Sequence, residues 1–183
     1  QYGYISAFGT NGFTWSPGTT NNSDGNETNG TFVSWCWKAG GAAVSNSDGS
    51  VTSSVSANQE AGFSIVKWTT QSGAYTVGHG LGRTPELIAS VHLSNTGTSW
   101  PTFTTVVDGT MDYGYISANS TWTDAVQYGI NVPNSTTFQG HSNFHASSGE
   151  CIAYCWASIP GYSKIGMYKG NGSTDGIYVH LGF

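Results

Sequence analysis

Six residues occur twice in this chain of 183: Tyr2 through Ala7 reads YGYISA, and so does Tyr113 through Ala118. A repeat of that length restricts the fold more than composition does, because a duplicated segment must find an equivalent environment twice. The echo continues in order. Val33-Ser34-Trp35-Cys36-Trp37 parallels Ile152-Ala153-Tyr154-Cys155-Trp156, Gly62-Phe63-Ser64 parallels Gly161-Tyr162-Ser163, and Tyr75-Thr76-Val77-Gly78-His79 parallels Ile177-Tyr178-Val179-His180. Gly161 follows Gly62 by 99 residues and Ile152 follows Val33 by 119, so the loops between matching segments differ in length. The expected organisation is one β-sandwich region built from two related, partly permuted repeats, about 1–111 and 112–183, the second incomplete at Phe183.

No stretch of twelve residues carries apolar positions at three-and-four spacing among good helix formers. Runs of Val, Thr, Tyr, Phe, Trp and Ile are instead cut by Gly, Asn, Asp and Ser every eight to twelve residues, which predicts an all-β sandwich, jelly-roll-like, with an internal pseudo-repeat. Strands are expected at 2–8, 31–38, 42–45, 50–56, 62–69, 74–79, 86–93, 101–107, 112–118, 125–132, 136–140, 150–158, 162–168 and 176–182. Residues 16–30 read as a long polar loop, and Asn46–Gly49, Val107–Thr110 and Gly170–Ser173 as turns, with Gly49 suited to positive φ.

Side chains alternate faces along a strand. In 151–157 one face would carry Cys151, Ala153, Cys155 and Ala157, the other Ile152, Tyr154 and Trp156. In 32–37 the small face is Phe32, Ser34 and Cys36 and the bulky one Val33, Trp35 and Trp37. Trp35, Cys36, Trp37, Tyr154, Cys155 and Trp156 are therefore expected in the core or a subunit interface. Trp15, Trp68, Trp100 and Trp122, near loops or strand ends, are the candidates for stacking on sugar rings. The three cysteines are odd in number, so no closed disulfide framework forms; buried thiols are expected, with a Cys36–Cys155 bridge as the alternative.

A net charge of −5, with only five Lys and Arg, argues against nucleic acid and anionic membrane surfaces. No apolar run reaches the roughly 20 residues of a membrane span. Seven Trp, ten Tyr and eight Phe exclude a disordered chain despite the 26 Gly. The nucleophile-elbow, zincin, C-x-x-C and P-loop signatures are missing. Gly78 through Gly82 reads as a tight turn into the strand at Glu86, and Arg83 as a structural ion pair or backbone cap. His141 and His145, four apart beside Glu150, have zinc spacing only on a helix, which Gly140 and Gly149 oppose. Glu60, Glu86, Asp108, Asp112, Asp124 and Glu150 supply acids for glycoside hydrolysis without a motif; Asp24 with Glu27, or Asp108 with Asp112, are weak calcium pairs. His79 and His180 occupy matching positions and should share a structural task. No catalytic residue, metal or cofactor is expected. The sequons at Asn21, Asn26, Asn29, Asn119, Asn134 and Asn171 follow from composition.

Phe32 through Gly41, Val44 through Ser53, Val55 through Asn58, Ala61 through Val66, Thr76 through Gly82, Ala153 through Lys164 and Tyr168 through Gly176 together resemble modules in structural proteins of marine tailed bacteriophages, including cyanophages. The resemblance covers most of 31–183, is weaker over 92–150, and reaches 1–30 only through the repeat. It implies a repeating β part of a tail fibre or virion surface, non-enzymatic, serving assembly and host attachment, with homo-oligomers or other virion proteins as partners. The alternative is a carbohydrate-binding module whose partner is a host surface glycan. Neither reading involves nucleic acid or membrane insertion.

Overall fold

A computed structural model of the chain describes residues 3–17, 29–94 and 99–183. The protein is all-β, with 38% of residues in strands and 2% in helix. It divides into two compact units, residues 1–36 and 37–183.

The first unit is a hairpin. β1 (Tyr4–Gly9) and β2 (Gly12–Ser16) pair antiparallel, Phe8 opposite Phe13 and Ile5 opposite Trp15, with a bulge between Ile5 and Ala7. Most of the expected polar loop 16–30, with Asn21, Asn26, Asp24 and Glu27, lies outside the described residues, as does Tyr2. The expected strand 31–38 does not form. Residues 31–38 are exposed and in no ladder, because strand-forming sequence needs a partner edge to close its hydrogen bonds.

In the second unit β3 (Val44–Asn46), β4 (Ser53–Asn58), β5 (Phe63–Thr69), β7 (Leu87–His92), β8 (Pro101–Thr104), β9 (Asp112–Tyr115), β10 (Thr123–Asp124) and β12 (Glu150–Trp156) make one antiparallel sheet, in the order β10-β9-β8-β7-β12-β5-β4-β3. The last strand is inserted at the centre, Tyr154 facing Ile65 on one side and Ala89 on the other. A ribbon of β6 (Ala74–Gly78) and β11 (Thr137–His141) forms the second, smaller layer. The expected repeat boundary near 111 falls between β8 and β9, which are paired neighbours.

Alternation decides what lies between the layers. Cys151, Ala153 and Cys155 of β12, Val66 and Trp68 of β5 and Val55 of β4 turn inward and meet Tyr75, Val77 and Phe138 of the ribbon. The small face of β12 lets the ribbon side chains approach closely, as its sequence predicts. Gly140 has the same effect on the ribbon: a Cβ there would press on the ring of its cross-strand partner Tyr75. At about 25 cal/mol per Å² of buried apolar surface, this is the dominant stabilising contact.

Three further expectations change. Residues 125–132 hold a 3-10 turn, Val126–Tyr128, in place of a strand; Asp124 Oδ1 accepts the Val126 N–H at 2.8 Å just before it, and Gly129 at φ 76° closes it. Residues 162–168 and 176–182 form no strand and are exposed save for the half-buried Ser163 and Ile165, so the Trp-Cys, Gly-aromatic-Ser and His echoes each have one copy in a ladder and one outside it, while both copies of YGYISA enter ladders. Gly49 keeps an ordinary φ; its role is space, since a Cβ would press on the Thr76 carbonyl where Val51 N–H bonds Thr76 O at 3.1 Å.

Candidate functional site

The outer face of the large sheet carries the side chains that alternation turns away from the core. In register across the strands, one row runs Thr104, Leu87, Trp156, Phe63 and Asn58; the next runs Thr102, Ala89, Tyr154, Ile65 and Ser56. The aromatic members of these rows are joined by residues from adjoining loops. Trp37 lies 5.5 Å, centroid to centroid, from Trp156, edge-on, and 6.1 Å from Phe63. Trp156 lies 6.2 Å from Tyr154. Tyr154 and Trp100 are parallel within 3° at 6.3 Å. Trp37, Trp156, Tyr154 and Trp100 thus form a continuous aromatic row. Trp37 is 54% exposed and Trp100 36%, while Tyr154 and Trp156 are half-buried beneath them.

The row has polar borders. On one side Lys67 and Glu150 pair at 2.7 Å, both about half exposed, so this ion pair is a solvated, weak contact. On the β4 side Ser54 is exposed, while Ser56 donates to Gly41 O at 2.7 Å and Asn58 donates to Lys38 O at 3.1 Å, fixing the segment that carries Trp37. On the other side the Trp100 backbone is held at Ser117 Oγ and its carbonyl accepts the Thr102 hydroxyl. Trp122, 43% exposed, covers Gly114, where a Cβ would come within 3.2 Å of its ring. The indole N–H of Trp156 is buried without an acceptor among the described residues.

The four tryptophans expected to stack on sugars therefore separate. Trp100 and Trp122 sit on the outer face. Trp68 does not: it is 3% exposed, donates its indole N–H to Tyr75 Oη at 3.3 Å and packs edge-on against Phe138. Its inward register with Val66 forces this, and the alternation in β5 carried that signal. Trp15 belongs to the hairpin, half-buried, with its indole nitrogen unpartnered among the described residues. Of the expected core or interface residues, Cys155 is fully buried, Tyr154 and Trp156 face outward, and Trp35 (72% exposed) and Cys36 lie open. All three cysteines are free; Cys36 is exposed, contrary to a buried thiol, and forms no bridge with Cys155. Burial pushes the Cys151 and Cys155 thiols up to about 12, so they behave as small apolar groups.

The titratable groups serve architecture. His79 is fully buried; its Nδ1 accepts the Leu81 N–H at 3.2 Å and its Nε2 meets Asn134 O at 3.1 Å, and desolvation lowers its pKa. His180, its counterpart in the echo, is exposed, so the two share no task. His145 stands between Ser90 Oγ, at 3.1 Å, and the Trp68 ring, and burial lowers it to about 4. Arg83 is exposed and joins no ion pair among the described residues. Asp108 accepts Thr110 N–H and hydroxyl bonds that hold its carboxyl below the usual range; Asp112, on the outer face, is raised by burial and then by Asp108 and Asp124. Among the described residues no three His, Cys, Asp or Glu side chains gather to hold a metal ion. A crevice of about 320 Å³ opens elsewhere, between residues 164–168 and 178–181, lined by Tyr168, Tyr178 and Lys164.

No curated protein and no solved structure matches the chain. One family model, described as a domain of unknown function (DUF7483), matches residues 1–183, and the chain belongs to that family.

Proposed function

We propose that this member of the DUF7483 family is a non-enzymatic recognition module of a bacteriophage particle, part of a tail fibre or capsid surface, that attaches to host surface glycan through the outer face of its large sheet. The single observation that carries the attachment chemistry is the aromatic row Trp37–Trp156–Tyr154–Trp100. Flat aromatic rings with hydroxyl, amide and ion-pair groups at their border suit a saccharide, whose C–H faces are apolar and whose rim is polar. Tyr154 and Trp156 are set on a paired strand, and the loops that carry Trp37 and Trp100 are tied to the sheet by the Asn58–Lys38 and Trp100–Ser117 hydrogen bonds, which favours a pre-formed site. Low net charge fits an uncharged or weakly charged ligand. The virion setting is supported by the sequence resemblance over residues 31–183.

The test is a binding assay with bacterial surface polysaccharides and plain glucans, followed by intrinsic fluorescence and calorimetry. Saturable binding to at least one polysaccharide, reduced tenfold or more in Trp100→Ala, is expected. Binding unchanged in Trp100→Ala and in Trp37→Ala would remove the proposed face; no saturable binding across the panel would remove the glycan reading.

A further inference from the structure

Two exposed segments carry the sequence pattern of strands that elsewhere in this chain are paired with each other. Residues 33–37 echo 152–156 of β12, and Gly161-Tyr162-Ser163 echoes Gly62-Phe63-Ser64 at the start of β5, with Ile165 and Met167 following at the spacing of Val66 and Trp68. Within the sheet β12 and β5 lie side by side, antiparallel, with Trp156 opposite Phe63, Cys155 opposite Ser64 and Ala153 opposite Val66. Their echoes make no ladder. No backbone-to-backbone hydrogen bond is made within 30–40 or 164–183 among the described residues. Phe32, Val33, Trp35, Tyr162, Met167 and Tyr168 all expose more than half of their surface.

The alternation of both segments matches their paired counterparts. Phe32, Ser34 and Cys36 stand where Cys151, Ala153 and Cys155 turn inward; Ser163, Ile165 and Met167 stand where Ser64, Val66 and Trp68 do. A polar-faced surface strand would not need this pattern. At roughly 150–250 Å² per aromatic side chain, the exposed parts of Phe32, Trp35, Tyr162 and the flanking Tyr168 amount to something on the order of 500 Å², to which Val33 and Met167 add. Backbone pairing adds to this and brings the contact near the ~1,000 Å² that separates a specific interface from a chance one.

We propose that residues 32–37 of one copy of the chain and 162–167 of a second copy pair as antiparallel strands in the register of β12 and β5, so that Trp37 faces Tyr162, Cys36 faces Ser163 and Ser34 faces Ile165. Each copy offers one of each segment, so association is head-to-tail and gives rings or open filaments. An exposed strand edge is a template for this kind of addition. The Ile159–Ser163 bridge and the bond from Ile165 N–H to Ser158 Oγ, 2.9 Å, are exchanged at the seam for bonds to Cys36 and Ser34, and beyond Ile165 the ladder bonds are new. The second copy is favoured as the occupant because it carries the echo of the one strand already known to fit.

The native Cys36 supplies the test. Directly opposed residues on antiparallel strands bring Cα atoms to roughly 4.5–5.5 Å, within disulfide reach. Ser163→Cys protein, half of it labelled with ¹⁵N, is mixed, oxidised and mapped by mass spectrometry. The expected result is a ladder of covalent multimers on a non-reducing gel, with linked 36–163 peptides of mixed isotope, at least tenfold more abundant than in Lys164→Cys, whose thiol points to the other face. Linked peptides of a single isotope only, or equal yields in the two variants, overturn the proposal. Light scattering of unmodified protein adds a measurement that needs no substitution: a mass above one chain that falls in Trp35→Asp supports the seam, and a monomer at all concentrations refutes it.

Discussion

Replacing Trp68 by Phe separates a core tryptophan from a surface platform. The Trp68 ring lies on the inward face of β5, touches Phe138 and His145, and donates to a Tyr75 hydroxyl that is itself buried. Burial pushes the Tyr75 phenol up to about 12 against the opposing pull of the Trp68 hydrogen bond, so it stays neutral at pH 7. Trp68→Phe removes roughly 40 Å³ of side chain, worth about 1 kcal/mol as cavity at ~24 cal/mol per Å³. It also leaves the Tyr75 oxygen without its donor, a cost of about 1–3 kcal/mol. The expected loss is about 2–4 kcal/mol, or a melting temperature lowered by roughly 5–15 °C for a domain of this size. Urea unfolding followed by far-UV circular dichroism, which does not depend on the substituted indole, reads it. Adding Tyr75→Phe removes the orphaned hydroxyl, so the double variant should lose less than the sum of the singles by about 1 kcal/mol or more. A Trp68→Phe protein within about 0.5 kcal/mol of the parent would refute the placement of this ring in the core.

Trp37→Ala and Trp100→Ala, both on the outer face, should each cost under about 2 kcal/mol of stability while weakening polysaccharide binding; thermal melts beside calorimetric titrations check the separation. His145 has a folded pKa lowered from 6.5 to about 4, so its contribution is complete above pH 6.5 and is lost as pH falls toward 4, about 3 kcal/mol in all. Urea midpoints from pH 7 to 4 should fall in that window, and the slope should flatten in His145→Gln. Gly49→Ala places a methyl 2.7 Å from the Thr76 carbonyl carbon and 2.8 Å from Val77 N, which should cost about 1–3 kcal/mol by forcing the β6 backbone away; a melt unchanged within error would contradict the close approach. Glu150→Gln should change stability by less than about 1 kcal/mol, because its Lys67 partner is half in water.

The fold class was legible because strand alternation and turn residues are local. β12 is the clearest case: Cys151, Ala153 and Cys155 are inward and Ile152, Tyr154 and Trp156 outward, as the sequence predicts. The same pattern at 32–37 reads equally well as a strand yet has no ladder, since pairing depends on an edge that the segment itself does not encode. The nearness of Trp68 to a strand end suggests a platform, although Val66 and Ser64, two and four residues earlier, mark its inward face. The aromatic row was only half legible. Trp100 and Trp122 were marked as stacking residues and Tyr154 and Trp156 as packing residues, and what brings Trp100 beside Tyr154 is the insertion of the last strand between β5 and β7, a contact across more than fifty residues of chain. The turn within 125–132 forms because Asp124, whose carboxylate accepts the Val126 N–H, and Gly129, a left-handed terminator, outweigh the strand preference of Val126 and Ile130.

In the proposed mode of attachment, polysaccharide sits on the row that begins at Trp37 and ends at Trp100. Indole oxidation mapped residue by residue, with and without a saturating polysaccharide, measures this directly. Protection at Trp37 and Trp100, continued reactivity at Trp35, and no reaction at Trp68 in either state are predicted. Equal oxidation of Trp37 and Trp100 with and without bound polysaccharide would contradict the claim.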